Sequence, residues 1–250
     1  MKHTALLFFI VTALPVLAQP EYRLGVYMGQ TSSTIDCGSN YSTDNSLFAG
    51  LSAYAVPYPV LELSNNLHHA PDIHRGHITD NTLLVTVYPH SFDFGRPFVG
   101  GGLNLRVSQT ETDSFTTRQS RHLPYGRIGH TFEFDGETVI GLVPWSGYGR
   151  ETAYIESESR TSSRSDVDAD RDSSVLLNGL SVRFAYEDFF TTDFSYAFHY
   201  YFLDKQGFSN VSASVTTTLH NNFGISYRFQ YIRDTGNEDI LNSIGLTYKM

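Results

Sequence analysis

The last eleven residues of the chain, ILNSIGLTYKM (240–250), decide the fold. One alternating set of these residues is mostly apolar: Ile240, Asn242, Ile244, Leu246, Tyr248 and Met250. The other set is mostly small or polar: Leu241, Ser243, Gly245, Thr247 and Lys249. Successive side chains of a β-strand point to opposite faces, so this alternation predicts a two-faced strand. Because chain ends usually fray, we expect this strand to pair with one near the start of the chain, around YRLGVYMG (22–29).

The first eighteen residues, MKHTALLFFIVTALPVLA, are typical of a secretory signal peptide. A basic Lys2 precedes an apolar run over 5–14, and the small residue Ala18 comes just before Gln19. This arrangement predicts cleavage after Ala18 and a single mature domain over 19–250. A membrane anchor is disfavoured, because the run is shorter than the roughly 20 residues that a spanning helix needs and Pro15 interrupts it.

The composition excludes some classes of protein. The formal net charge of −9 argues against a nucleic-acid partner, which would require a basic face. Cys37 is the only cysteine, so no internal disulfide can staple the fold. The chain is rich in aromatic residues, with Tyr 16 and Phe 18. We expect no cofactor.

Alternation with period 2 recurs along the whole mature chain. The stretches RIGHTFEFD (127–135), LSVRFAY (180–186), FSYAFHYYF (194–202) and ISYRFQY (225–231) all place aromatic or aliphatic residues at every second position. The layout that fits best has twelve strands, with ten as the alternative: 22–30, 46–56, 60–64, 80–89, 97–108, 126–135, 137–159, 175–187, 194–204, 210–220, 224–233 and 238–250. The third strand in this layout is very short, and PWSGYG (144–149) interrupts the seventh.

The connections between these strands favour a closed antiparallel transmembrane β-barrel over a soluble β-sandwich. Tight links at 57–59, 135–136 and 220–222 are interleaved with long polar ones at 31–45, 65–79, 109–124 and 161–174. Transmembrane barrels have short periplasmic turns and long extracellular loops. A closed barrel is also the only sheet that leaves no unpaired backbone edge in lipid.

The signal peptide, the alternating strands, the terminal strand and the aromatic Tyr248 resemble those of bacterial outer-membrane β-barrel proteins, including the porins of Gram-negative bacteria. Members generally end in Phe, whereas this chain ends in Met250. The C-terminal third, from Thr216, also resembles the salt-induced outer-membrane barrel family. The resemblance implies location in the bacterial outer membrane. It also implies contact with outer-membrane lipid and lipopolysaccharide, and insertion by the barrel-assembly machinery.

Seven polar residues on the less apolar faces are candidates for lining the lumen. They are Arg106, Arg127, Glu133, Arg183, His199, Arg228 and Lys249. One interpretation is a narrow polar pore whose arginines favour small anionic or sugar-like solutes. The other is a network of ion pairs that plugs and stabilises the barrel, since buried charges need partners.

A histidine-rich stretch, LHHAPDIHRGH (67–77), is a candidate metal site. His68, His69, His74 and His77 lie within ten residues, and neutral imidazoles bind zinc, copper or nickel. The spacing matches no known motif, so the alternative is a polar loop that is merely rich in histidine.

The sequence therefore predicts an outer-membrane barrel that acts as a narrow channel, with small polar solutes as its cargo, or as a structural or surface-interaction protein. The alternative is a lipid-active enzyme, either a hydrolase or an acyltransferase. Such an enzyme needs a Ser or Thr nucleophile with a His base at the outer rim. His130 and His220 fit no such motif, so we expect no enzymatic activity.

Overall fold

We analysed a computed structural model of the chain. The structure describes residues 20–36, 41–73, 76–92, 95–111, 115–134, 138–159, 167–186, 189–220, 222–234 and 237–250. None of these residues belongs to a helix long and apolar enough to cross a membrane.

The described residues form twelve β-strands, which confirms the predicted number. In chain order they are β1 (Glu21–Asp36), β2 (Tyr41–Tyr58), β3 (Leu61–Ile73), β4 (Gly76–Val87), β5 (Arg96–Glu111), β6 (Phe115–Phe134), β7 (Thr138–Ser159), β8 (Val167–Tyr186), β9 (Phe190–Tyr201), β10 (Gln206–His220), β11 (Phe223–Asp234) and β12 (Asn237–Lys249).

The strands close into one antiparallel barrel in which each strand pairs with its neighbours in sequence. The barrel is closed by β12, which pairs with β1 from Arg23↔Lys249 to Ile35↔Asn237. Beyond this ladder, the backbone N–H of Met250 donates a 2.8 Å hydrogen bond to the carbonyl of Tyr22. The C-terminal strand is therefore held along its whole length, as its alternation predicted.

The pairing register sets the width of the barrel. A path drawn perpendicular to the strands returns to β1 displaced by about 14 residues, so the strands are strongly tilted. Twelve strands spaced about 4.8 Å apart and tilted by about 40° give a backbone radius of roughly 12 Å. Long side chains from opposite walls can approach each other across such a barrel, whereas short ones leave a gap.

The two rims of the barrel differ. One rim, called here the terminal rim, carries both chain ends and the links that follow the even-numbered strands. At the opposite rim, β6, β7 and β8, with 20, 22 and 20 residues, extend past β9 and β11, which have 12 each. The wall formed by β6–β8 therefore projects beyond the rest of the barrel.

Strand boundaries at the opposite rim differ from those predicted. Most residues of the expected long connections 31–45, 65–79, 109–124 and 161–174 belong to strands. Their polar sequences lack an apolar face, but paired strands need no apolar face where both sides meet water. For the same reason β3 has 13 residues rather than the five predicted.

The predicted interruption of the seventh strand at PWSGYG is wrong, because β7 is continuous through it. Pro144 remains the cross-strand partner of Leu180 on β8, and Pro124 remains the cross-strand partner of Leu103 on β5. On the β6–β7 side, however, the ladder skips both proline positions. Proline has no N–H to donate, so each one costs a ladder bond on one side only.

The outer face of the barrel is apolar. Exposed Leu, Ile, Val and Phe side chains alternate with inward residues on every wall. An aromatic girdle surrounds the terminal rim, made of Tyr22, Tyr58, Phe92, Phe134, Tyr186, Phe189, Phe223 and Tyr248. Asn242, the polar residue of the apolar face of β12, accepts a 2.8 Å hydrogen bond from the hydroxyl of Tyr227. An apolar band edged by aromatic rings is typical of a barrel that spans lipid.

Candidate functional site: the barrel interior

The interior face is identified by contacts that skip a strand, because only the concave side brings such strands together. The hydroxyl of Tyr27 on β1 donates to Oδ1 of Asn66 on β3 at 2.8 Å. On the other wall, the hydroxyl of Tyr201 on β9 donates to Glu151 of β7 at 3.3 Å. The register places Arg106, Arg127, Glu133, Arg183, His199, Arg228 and Lys249 on this same face.

Charged side chains crowd the half of the interior near the terminal rim. They form ion pairs between neighbouring strands: Arg183 Nε to Asp193 at 2.6 Å and Arg96 Nη2 to Glu133 at 2.7 Å. Glu62 accepts a 3.1 Å hydrogen bond from the hydroxyl of Tyr88. Both signs of charge occur, so most of the charge in this half is locally compensated.

These charges also interact across the barrel. Arg183 of β8 interacts electrostatically with Tyr54 of β2 and Glu62 of β3, although β2 and β8 are six strands apart in a ring of twelve. Strands separated in this way lie on opposite walls.

Serine side chains line much of the interior between the two rims. The inward serines are Ser52, Ser64, Ser181, Ser195, Ser212, Ser214, Ser226 and Ser243. Two of them, Ser195 and Ser212, are hydrogen-bonded to each other at 2.7 Å. Such short polar side chains leave room for water beside the larger residues of the other walls.

Water reaches the interior ion pairs. The side chains of Arg183 and Asp193 are 55% and 38% exposed, and those of Arg106 and Asp80 are 39% and 32% exposed. The Nε of Arg106 lies 3.7 Å from Oδ1 of Asp80, a loose pair compared with that of Arg183. An interior packed dry by its own side chains would bury these groups. Both ion pairs are thus accessible from the space inside the barrel.

Three interior arginines, Arg121, Arg127 and Arg228, form no ion pair with any carboxylate of the described residues. Arg127 packs against the rings of Phe98 and Trp145, and its guanidinium carbon Cζ lies 5.1 and 5.8 Å from their centroids. Its Nη2 donates a 2.6 Å hydrogen bond to the hydroxyl of Thr86. Arg228 lies 6.0 Å from the ring centroid of Tyr27.

Arg127 and Arg228 stand on well-separated walls, on β6 and β11. Arg228 also lines a small cavity of about 30 Å³, together with Asn66, His68, Gln230 and Ser243. These two guanidinium groups place positive charge in the interior without a partner carboxylate among the described residues.

Apolar side chains line the two walls nearer the opposite rim. One cluster consists of Phe48, Ala70 and Leu241, and the other of Leu123, Val175 and Leu177. The first lies on β2, β3 and β12, and the second on β6 and β8. Each cluster packs over an intervening strand, β1 in the first and β7 in the second, so the two clusters stiffen separate walls.

Comparison with solved structures supports this architecture. The translocator domain of autotransporter NalP from Neisseria meningitidis matches with a TM-score of 0.59 at 10% identity, covering 99% of this chain and 94% of that one. The transport unit of the autotransporter AIDA-I from Escherichia coli matches with a TM-score of 0.56 at 11% identity, covering 99% and 97%. The apolar exterior and its aromatic girdle agree with the fold that these matches indicate.

The chain has the fold of an outer-membrane β-barrel. The β-domain of the Bordetella autotransporter BrkA, at a TM-score of 0.51 and 12% identity, shares the fold, with 93% of this chain and 100% of that chain covered. No family model matches the sequence. No curated protein matches it either.

The histidine cluster of the outer-membrane barrel is split by the sheet. His68 faces inward and stacks on Phe48 at 4.4 Å, whereas His69 and His77 face outward with their ring centroids 6.1 Å apart. The expectation of one site made from all four is therefore corrected, because neighbours along a strand point to opposite sides. His74 lies outside the described residues. Within the part of the chain that the structure describes, no three His, Cys, Asp or Glu side chains gather to hold a metal.

The outward histidines of the outer-membrane barrel do include one pair of chemical interest. The ring Nδ1 of His69 lies 2.9 Å from the hydroxyl oxygen of Thr79, its cross-strand partner on β4. A hydroxyl beside an imidazole is the minimal pairing of a nucleophile and a base. Cross-strand polar pairs also occur simply because they stabilise sheets.

Several interior residues escaped the sequence analysis. Tyr54, Glu62, Asp80 and Asp193 supply charge and bulk to the interior, yet none was a candidate. Glu62 lay in the predicted third strand and Asp80 began the predicted fourth, but neither was named as a candidate for the lumen. The third strand was also ended too early. The alternation of Ser64, Asn66 and His68 with Leu63 and Leu67 was the signal that could have extended it.

Proposed function

We propose that this outer-membrane barrel is a narrow, water-filled channel for small hydrophilic solutes. The observation that carries the proposal is the hydrogen-bonded Arg183–Asp193 pair on the inner wall, whose side chains remain accessible from the lumen. A closed plug would have excluded water from this pair. The serine-lined walls extend the same hydrophilic surface above it and favour polar over apolar solutes.

Arg127 and Arg228, two of the arginines without carboxylate partners, give the proposed channel a preference for anions. A unit charge about 6 Å from a permeating ion changes its energy by about 0.7 kcal/mol in water, or roughly threefold in occupancy. Arg127 and Arg228 act from different walls, so their fields add in the central lumen.

Planar-bilayer recording of the purified full-length protein tests the proposal. We expect small single-channel steps and, in a KCl gradient, a reversal potential that indicates anion preference. The variant Arg127→Gln/Arg228→Gln should conduct with that preference reduced or reversed. Arg150→Gln, on the outer face, is the matched control and should leave selectivity unchanged. A folded barrel without conductance above background would rule out the channel.

The proposed orientation puts the terminal rim in the periplasm and the projecting β6–β8 wall outside. Short links and both chain ends then face the periplasm, as in other barrels of this class. The barrel-assembly machinery would meet β12 from that side, and lipopolysaccharide would surround the opposite half. A protease added to intact cells should cleave only links at the opposite rim.

A second candidate function, a lipid-active enzyme, rests on the His69–Thr79 pair. The pair lies on the outer face in the half of β3 and β4 near the opposite rim, where outer-leaflet lipid would reach it. Hydrolysis of a fluorogenic phospholipid by the reconstituted protein, abolished by Thr79→Val and by His69→Gln, would support it. Equal hydrolysis rates for these variants and the parent protein would show that the His69–Thr79 pair only stabilises the sheet.

A further inference from the structure

The apolar outer surface has a notch where two glycines meet. Gly101 of β5 and Gly126 of β6 are direct cross-strand partners, and both face outward. A Cβ added to Gly126 would meet no atom within 4 Å, and one added to Gly101 would meet only the carbonyl oxygen of Tyr125, at 3.4 Å. The glycines are therefore not required by close packing. Their effect is to leave space on the outer face.

Large side chains surround this space. The notch has a volume of about 460 Å³, and its outward walls are Leu83, Val85, Leu103, Pro124 and Tyr148. It adjoins the β6–β7 seam where Pro124 interrupts the hydrogen-bond ladder. At the level of the notch, the outer surface faces the hydrocarbon chains of the lipid. An empty apolar notch would forfeit dispersion contacts with its lining, so a hydrocarbon chain fills it favourably.

Basic residues stand at the end of the notch that faces the opposite rim. His122 and Arg150 are the next outward residues beyond Pro124 and Tyr148 on their strands. The side chain of Arg150 is 69% exposed, and a single nitrogen, Nη2, donates to Asp172 at 2.8 Å. A guanidinium has five N–H donors, so Arg150 can also bind a phosphate oxygen.

An apolar notch below a basic pair matches an amphiphile with an acyl chain and a phosphorylated head. We propose that the notch seats one acyl chain of lipopolysaccharide, whose phosphate is bound by Arg150 and His122. Lipopolysaccharide is chosen over inner-leaflet phospholipid because the basic pair lies toward the rim opposite the chain ends. In outer-membrane barrels this is the extracellular side.

Native mass spectrometry of the purified full-length barrel tests this site. Lipopolysaccharide of defined acylation is added to the delipidated protein, and phosphatidylglycerol is added in a parallel sample. We expect one tightly held lipopolysaccharide per barrel and at least fivefold weaker retention of phosphatidylglycerol. Gly126→Leu fills the notch and should reduce lipopolysaccharide retention at least fivefold. Ala53→Leu adds the same side chain to the outer face of β2 and should have no effect.

A separate variant tests the head-group contact. Arg150→Gln/His122→Gln leaves the notch open and should reduce retention of the phosphorylated lipid while leaving that of its dephosphorylated form unchanged. Folding of each variant is checked by heat-modifiable migration in gels. If Gly126→Leu and Ala53→Leu retain lipid equally, the notch is not a lipid site. Loss of a dimer in Gly126→Leu alone would instead make it a contact between two copies and overturn the proposal.

Discussion

Arg183 of β8 donates a 2.6 Å hydrogen bond from Nε to the carboxylate of Asp193, its direct cross-strand partner on β9. Both side chains face the interior, and both remain accessible to water. The pair thus combines two properties that a channel lining needs. The hydrogen bond between the two side chains stabilises the wall, and their accessibility would let their charges act on solutes in the proposed channel.

Replacing Arg183 and replacing Asp193 should shift the ion selectivity of the channel in opposite directions. Arg183→Gln leaves the Asp193 charge uncompensated and should shift the anion-to-cation permeability ratio toward cations by roughly threefold. Asp193→Asn leaves the arginine uncompensated and should shift the ratio toward anions by a similar factor. Reversal potentials measured in a KCl gradient give both values. Identical ratios for the two variants would mean that ions do not pass this pair.

Packing of Trp145 against Gly179 should be sensitive to a single methyl group. A Cβ on Gly179 would lie 2.3 Å from the indole Nε1 of Trp145, its partner on β7. Gly179→Ala must displace the ring and should destabilise the barrel by about 1–3 kcal/mol. The chain has one tryptophan, so its fluorescence spectrum reports the displacement directly.

The matched control for that experiment is Gly141→Ala on the same strand as Trp145. A Cβ there would meet only the Cβ of Arg183, at an ordinary 3.6 Å. Its spectrum and urea midpoint should match those of the parent protein. Equal midpoints for Gly179→Ala and Gly141→Ala would contradict the packing argument.

Tyr227 and Asn242 should behave as a coupled pair on the lipid-facing surface. Tyr227→Phe leaves Oδ1 of Asn242 without its donor, and an unsatisfied polar group facing hydrocarbon is costly. We expect a destabilisation of about 0.5–2 kcal/mol, measured by urea unfolding in lipid vesicles. Tyr227→Phe/Asn242→Leu removes both polar groups and should recover the loss. Additive effects in this double-mutant cycle would show that the hydrogen bond contributes nothing.

Asp172 should stay ionised at low pH. It lies on the outer face of β8 in the projecting wall, and hydrogen bonds from the Thr152 hydroxyl and the Arg150 guanidinium hold its pKa below the usual value. Because the folded pKa is lowered, the contribution to stability is present above the unfolded pKa of about 3.9 and disappears as the pH falls through the folded value.

The check on Asp172 is a carboxyl titration by nuclear magnetic resonance. Thr152→Val removes the leading hydrogen bond and should raise the pKa of Asp172, and Arg150→Gln should raise it as well. Both residues are exposed, so we expect little change in global stability from either substitution. A titration curve that neither substitution moves would show that these hydrogen bonds do not form in solution.

The outer surface was the most predictable part of this protein. The apolar residues of LSVRFAY and ISYRFQY all face outward, because the side-chain period of a strand is fixed by its backbone. The strand ends near the opposite rim were the least predictable part. Above the membrane both faces meet water, so β6 and β8 continue without the apolar alternation that marks a strand.

The interior could be predicted only in part. Alternation identified Arg106 and Arg127 as interior candidates, but it carried no information about their partners. Asp80 was the first residue of a predicted strand and followed an expected polar connection, so no alternation before it showed which way its side chain faces. The His68–His77 stretch looked like one cluster in sequence, yet adjacent histidines on a strand are held apart by the sheet itself.

The sequence by itself determined that this chain forms two-faced strands, that their apolar faces point outward, and that the last strand must pair to close the sheet. These are local consequences of a period of two residues. Only the tertiary structure decided the register, the stagger of about 14 residues and the contacts that skip a strand, such as the hydrogen bond from Tyr27 to Asn66. Such contacts depend on the tilt and closure of all twelve strands together, which no single stretch of sequence encodes.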